Sequence, residues 1–351
     1  MVTIPVSGRS TARRMLLGAV SALLLVAPVA AGCGATTKTS EDAVASVDAV
    51  HVVTRLEPAG DVIGGDVAVD AHGVAYVTQT VLADAANVGR VVRVAPDGTS
   101  TLFGPRIELG YGRLHGVAVD TTGEVYVAAA SYGVEPNRIL QVSEDRSTLV
   151  ATTPGSQAGY SAPNGLAFHD GRLYVTDPFA GAIWRFVPGG SVKALSEPWV
   201  SGRLLRSATP GWLGANGIAF RDDALFFTNT DKGLVAKIPR ASLEAPGTPA
   251  IVVRRPQLVG ADGLAFDRNG NIWVTVAGPF YPNEVVFPLT GQYLISFTGT
   301  GELRTMTKDA HWMDSPNALA LEGTHPSRDR MLVLNGSQHA HTPELLSLRV
   351  R

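Results

Sequence analysis

Residues 162–186 read A-P-N-G-L-A-F-H-D-G-R-L-Y-V-T-D-P-F-A-G-A-I-W-R-F. Apolar and polar residues alternate with a period of two, and Gly, Asp and Pro punctuate the run. The pattern predicts a strand over Gly165–Phe168, a tight turn at Asp170-Gly171, a strand over Arg172–Thr176 and another over Ala182–Phe186. The opening phrase then recurs along the chain. It stands as G-G-D-V-A-V from Gly64, H-G-V-A-V from His115, N-G-I-A-F from Asn216, D-G-L-A-F from Asp262 and, more loosely, N-A-L-A-L from Asn317. With Asn164 that makes six copies.

The residue ahead of the recurring phrase is Gly65, His115, Asn164, Asn216, Asp262 and Asn317 in turn, at intervals of 50, 49, 52, 46 and 55 residues. Each interval holds about four strands with their turns, the size of one propeller blade. The expected fold is therefore all-β, a six-bladed β-propeller of four-stranded blades. Three residues beyond that position every copy carries alanine: Ala68, Ala118, Ala167, Ala219, Ala265 and Ala320. Inner strands converge on the propeller axis, where a bulky inward side chain would meet its five counterparts, so a small residue is expected. A helical solenoid would instead show apolar residues 3.6 apart, which these segments lack. The last repeat supplies three strands, Ala318–Leu321, Met331–Asn335 and Leu345–Val350. His51–Leu56 precedes the first repeat without a blade of its own. It is expected to pair with Leu345–Val350, closing the ring and removing an exposed edge.

Composition agrees. Of 351 residues, 17% are charged and 45% hydrophobic, with 38 Gly and 22 Pro, which suits a turn-rich β fold. The net charge of −2 and the lack of a basic stripe give nucleic-acid binding no electrostatic basis. Turns from first to second strand are tight (Asp70–Gly73, Asp120–Gly123, Asp267–Gly270). Insertions favour the opposite connections: Thr80–Gly89, Trp199–Gly214, Ala277–Gly291 and Gly336–Pro343. On a propeller these gather on the rim where the inner strands begin, marking a mouth for a small-molecule ligand. Arg240–Pro249 and Gly323–Asp329 belong on the other side.

Residues 1–33 read as an export signal, kept out of the fold. Arg9, Arg13 and Arg14 form a positive region ahead of the apolar stretch Met15–Ala30, which is short for a membrane span. Ala30-Ala31-Gly32 then precede Cys33, the only cysteine, so no disulfide forms within the chain. The stretch resembles a bacterial lipoprotein signal, with Ala30 where that pattern more often has Leu. The resemblance implies lipidation at Cys33 and a place outside the cytoplasm, held to the membrane by the acyl anchor or secreted if Cys33 is left bare; a monomer is expected. Arg13-Arg14 also resembles a twin-arginine export motif. Residues 34–49 are small, polar and aperiodic, a tether. The propeller occupies 50–351.

On this topology His115, Asn164, Asn216, Asp262 and Asn317 project toward the axis from neighbouring blades. Oxygen donors converging in this way suit a hard cation such as Ca²⁺, which takes carboxylate and amide oxygens together. The ordered phrases P-N-G-L, A-N-G-I and A-D-G-L resemble the senescence-marker-protein/gluconolactonase/strictosidine-synthase-like superfamily, across roughly residues 50–350. That resemblance implies a divalent metal held by Asn164, Asn216 and Asp262, with Asp262 also acting as base or nucleophile. It further implies a first-blade Glu, where this chain has Gly65 followed by Asp66. Adjacent strand residues face opposite ways, so Asp66 substitutes for that Glu only if the strand is bulged. The sugar-lactone branch uses an Arg where Ala162 stands, which argues against a sugar-acid substrate.

Asn317 extends the candidate metal set. His115 is a candidate base, metal ligand or polar plug. Asn or Asp before Gly is also ordinary turn chemistry. Asp177 and Asn229 end second strands and either orient the mouth or form turns. His339 and His341 have a spacing that suits Zn²⁺ but lack a third ligand. Trp199, Trp212, Phe280, Tyr281 and Phe287 fall in mouth insertions, as a substrate wall or as packing beneath the loops. No G-x-S-x-G elbow, P-loop or cysteine nucleophile is present. Three functions fit: metal-assisted hydrolysis of a small ester or lactone, a non-enzymatic propeller that binds a ligand or protein on its rim, or a sensor or assembly module for other envelope proteins.

Overall fold

The computed structural model describes residues 47, 50–56, 62–155, 161–239, 245–277, 291–322, 330–336 and 342–349. Strand β1 (Val50–Arg55) comes first. Blade 1 holds β2 (Val62–Val69), β3 (Ala75–Val81), β4 (Asn87–Val94) and β5 (Ser100–Gly110), and blade 2 holds β6 (Arg113–Val119), β7 (Val125–Ala130), β8 (Asn137–Val142) and β9 (Ser147–Thr153). Blade 3 holds β10 (Leu166–His169), β11 (Arg172–Asp177) and β12 (Ala182–Phe186); β13 (Lys193–Ala194) intervenes before its last strand, β14 (Val200–Ser201). Blade 4 holds β15 (Ala215–Arg221), β16 (Ala224–Asn229), β17 (Leu234–Ile238) and β18 (Ala250–Arg254). Blade 5 holds β19 (Ala261–Phe266), β20 (Ile272–Val276), β21 (Tyr293–Phe297) and β22 (Leu303–Lys308), and blade 6 holds β23 (Pro316–Leu321), β24 (Arg330–Asn335) and β25 (Glu344–Arg349). The first strands of successive blades touch one another in a closed circuit, β2 to β6, β10, β15, β19, β23 and back to β2. This is the expected six-bladed propeller.

The ring closes as the sequence predicts. Strand β1 pairs antiparallel with β25, His51 opposite Ser347 and Arg55 opposite Glu344, and becomes the outer strand of blade 6. An ion pair from Arg55 Nε to Glu344 Oε1 at 2.9 Å lies across the seam, mostly in solvent, where it contributes little.

The core is six apolar wedges, one between each pair of neighbouring blades. Between blades 3 and 4, for example, Tyr174 and Ile183 pack on Ile218, Leu225 and Phe227. The six alanines sit in these wedges, each opposite a larger residue of the second strand: Ala68 pairs with Tyr76, Ala118 with Tyr126, Ala167 with Tyr174, Ala219 with Phe226, Ala265 with Trp273 and Ala320 with Leu332. Ala68, Ala118, Ala167 and Ala219 also line the axial cavity, so the small residue stands where the inner strands converge as well as opposite a bulky neighbour on the second strand.

Two other features differ from expectation. Thr80–Gly89 is largely a continuation of the β3–β4 hairpin, with Thr80 opposite Gly89. In blade 3 the chain breaks after β12 at Gly189 and Gly190, whose φ of 100° and 70° disfavour any other residue. It then crosses to blade 2, where β13 lies parallel to β9, before returning as the two-residue β14. The tight turns form as read: Asp70 Oδ1 accepts the amides of His72 and Val74, and Gly73 supplies φ 82°.

Candidate functional site

The recurring phrase breaks the register of the inner strand. The pairing slips between Gly64 and Val67, Leu114 and Val117, Ala215 and Ile218, Ala261 and Leu264, and Pro316 and Ala318. Such bulges re-aim side chains that a regular strand would send elsewhere. The condition set for Asp66 is therefore met: its strand is bulged, and Asp66 lines an axial cavity of about 220 Å³ together with Asn164, Asp262 and Asn317. A glutamate at position 65 would not fit. A Cβ on Gly65 would stand 2.7 Å from the carbonyl oxygen of Leu114 and 2.8 Å from that of His115.

The glycines of the phrase explain how the blades come so close. Gly116, Gly165, Gly217 and Gly263 are not among the residues with positive φ, so the Asn-Gly and Asp-Gly pairs are not turn chemistry here. A Cβ on Gly116 would lie 2.0 Å from Asn164 O, on Gly165 2.6 Å from Asn216 O, and on Gly217 2.2 Å from Asp262 O. Each glycine admits the backbone of the next blade's site residue.

A second device, missed in the sequence, fixes those backbones. Thr176 Oγ1 accepts the Gly165 amide at 2.9 Å and donates to Asn216 O at 2.5 Å. Thr228 Oγ1 accepts the Gly217 amide at 2.8 Å and donates to Asp262 O at 2.7 Å. Thr78 Oγ1 likewise accepts the Asp66 amide and donates to His115 O. Threonines of the second strands thus latch His115, Asn216 and Asp262 each to the preceding blade. Thr228→Val is expected to lower stability by about 1–2 kcal/mol through the orphaned buried carbonyl and amide. Thr228→Ser should restore most of the loss in urea unfolding, and failure of Ser to do so would show that the methyl, not the hydroxyl, matters.

The two carboxylates differ in their surroundings. Asp66 accepts the amides of Val67 at 2.8 Å and Val117 at 3.2 Å, yet burial dominates and pushes its pKa up to about 7. Asp262 is pushed up to about 8, by burial first and then by the nearby Asp66 charge, against a lowering hydrogen bond from Asn216. Asn216 Nδ2 also donates to Thr230 Oγ1 at 3.1 Å, while its Oδ1 is buried without a partner. Asn317 Nδ2 ties blade 6 to blade 1 through Gly64 O at 2.8 Å and Gly65 O at 3.2 Å, and its Oδ1 is likewise unpartnered. Asn164 lines the cavity.

His115 is not among the residues lining the cavity. Its Nε2 meets the Tyr132 hydroxyl at 2.5 Å, and burial, helped by Arg113, pushes its pKa down to about 3, so the imidazole is neutral. Asp177 and Asn229 hold mouth loops: the Asp177 carboxylate accepts Ser161 Oγ and the amides of Ala162 and Ala180, and Asn229 Nδ2 donates to the carbonyls of Leu204, Leu205 and Arg206. Trp199 packs edge-on against Tyr174 under the guanidinium of Arg185, a packing role. Cys33, Phe280, Tyr281, Phe287, His339 and His341 lie outside the described residues.

The donor set fits a hard cation. Asp66, Asp262 and Asn164 line one cavity, Asn216, hydrogen-bonded to Asp262, has an unpartnered Oδ1 though it is not itself in the lining, and no cationic side chain lines the wall among the described residues. No group of three His, Cys, Asp or Glu side chains suited to a metal occurs among the described residues, so the set is a mixture of carboxylate and amide, as Ca²⁺ accepts.

Comparison with protein-family models finds no match, and comparison with curated proteins finds none. Solved structures do match. A protein described as a gluconolactonase aligns over 86% of this chain and 91% of its own, with 14% identity and a TM-score of 0.52. What these matches share with this chain is the fold, a six-bladed β-propeller. A glucose-dehydrogenase-type oxidoreductase from Thermus thermophilus aligns over 86% of this chain and 99% of its own (16% identity, TM-score 0.55). Virginiamycin B lyase from Staphylococcus aureus, as an inactive variant with quinupristin, aligns over 86% and 99% (13% identity, TM-score 0.52). Those three proteins carry three chemistries on one scaffold, so the reaction has to be argued from the site.

Proposed function

We propose that the protein is a hydrolase of the gluconolactonase-like kind, acting on a small ester or lactone in the axial cavity with the help of a divalent cation. The observation that carries this reading is the pair of desolvated carboxylates, Asp66 and Asp262, facing one open cavity beside Asn164. Asp66, Asp262, Asn164 and Asn216 would hold the cation, which would act as a Lewis acid toward the substrate carbonyl. Asp262, a carboxylate desolvated by burial beside Asp66, would serve as the base. Its carboxylate takes a proton from water as the water oxygen bonds to the carbonyl carbon, and returns that proton to the departing alkoxide when the C–O bond breaks. Asn216, hydrogen-bonded to Asp262, orients that carboxylate. Export and acylation at Cys33, on the strength of the N-terminal sequence, would place this chemistry outside the cytoplasm.

The rival reading, a propeller that binds a ligand without chemistry, draws support from Asn317 and His115, both engaged in contacts within the ring. Cation titration separates the two. Saturating Ca²⁺ at a hundredfold over its Kd should stabilise the fold by about 2.7 kcal/mol, read as a rise in melting temperature that Asp262→Ala removes. If Ca²⁺, Mg²⁺, Mn²⁺ and Zn²⁺ all leave the melting point unmoved, the hydrolase reading falls and the rival stands. A lactone and aryl-ester panel then reads turnover directly.

A further inference from the structure

The axial cavity changes character along its length. Asp66 and Asp262 stand at the mouth end, while Val69, Val119 and Phe168 lie roughly 10 Å further down their inner strands, with Leu319 between. Phe168 is held in place by stacking on Tyr126, with centroids 5.9 Å apart and planes at 15°. No Lys, Arg or His lines the cavity among the described residues. An anionic ligand would enter beside Asp66 and Asp262 with no cationic side chain in the lining to receive it. A bound divalent cation would cancel the repulsion without leaving net positive charge, so an anion would still give up its hydration with no cationic side chain to receive it.

We infer that the cavity selects an uncharged substrate with a short apolar tail, the polar carbonyl at the aspartate end and the tail down against Phe168, and that it refuses sugar acids and other anions. The ester character of that substrate rests on the hydrolase reading; the charge and tail preference rests on the wall itself. Each buried methylene should raise affinity about fourfold.

The test uses the wild-type protein saturated with Ca²⁺ and four probes: δ-valerolactone, δ-octalactone, glucono-δ-lactone and a carboxylate-bearing γ-butyrolactone. Binding is followed by ligand-observed saturation-transfer NMR and turnover by proton release from the same samples. δ-Octalactone is expected to bind at least tenfold more tightly than δ-valerolactone, glucono-δ-lactone more weakly than either, and the anion not at all. Phe168→Ala should flatten the tail preference. Glucono-δ-lactone or the anion binding as well as δ-octalactone would overturn the inference, whether or not turnover is seen. Tail-dependent binding without proton release would remove the hydrolase reading and leave the inference intact. Absence of binding by every probe would remove both.

Discussion

Asp262→Asn is expected to melt several degrees above the wild type at pH 8.5 in EDTA, and to be indifferent to added Ca²⁺. The sign follows from the direction of the shifts. Asp262 and Asp66 are raised from 3.8 to about 8 and about 7, so between pH 4 and 8 the folded protein holds protons that the unfolded chain has released. Stability therefore falls as pH rises through that window and levels off above it. Asparagine at 262 cannot ionise and removes its share of the loss, about 2 kcal/mol once the openness of the cavity is allowed for. Near pH 4 both side chains are neutral and the two proteins should converge. Calcium should then raise the wild type and not the variant. A variant that melts at or below the wild type at pH 8.5 would mean that the carboxylate is not held against its preference, and that the site is not poised for a cation. Stability given up where function needs it is a common trade.

Gly217→Ala should be far more damaging than its size suggests. The added Cβ would stand 2.2 Å from Asp262 O, with Leu264 N at 2.9 Å, so blade 5 must move or the inner strand of blade 4 must retreat. A loss of about 3 kcal/mol or more is expected, in the range of overpacked cores. The urea midpoint should fall accordingly, and the calcium response should weaken because Asp262 is displaced. Gly171→Ala is the control. Gly171 has φ 68° with open space around it, so alanine there meets only backbone strain, about 1 kcal/mol. Equal losses at the two positions would refute close approach as the reason for the glycine in the phrase.

That contrast also marks what the sequence could and could not convey. The period of about fifty residues and the alanine in all six copies carried the architecture, because repetition is visible without geometry. The ring seam followed from counting strands. The Asn-Gly pairs were open to a turn reading because composition alone does not distinguish a glycine chosen for positive φ from one chosen for lack of a side chain. Asp66 depended on a bulge, a displacement of one residue that leaves no mark on alternation until the pairing is known. The threonine latches left a readable trace: Thr78, Thr176 and Thr228, together with Thr275, which accepts the Gly263 amide, follow the site position by twelve or thirteen residues in four of the six repeats. Their meaning, a bridge to the next blade, exists only once the blades are side by side. His115 occupies the same sequence position as the site asparagines, yet its ring engages Tyr132 instead of lining the well.

The seam in blade 6 has a further consequence for how the site comes into being. Strand β1 is among the earliest parts of the propeller to be synthesised, and its partner β25 the last. Asn317, whose amide grips the carbonyls of Gly64 and Gly65, also arrives late. A nascent chain can therefore hold five finished blades and still have no collar around the axis. Loss of β25 would strip β1 and β24 of their shared partner and loosen the blade that carries Asn317, unsettling a pair of aspartates lying well upstream of the damage.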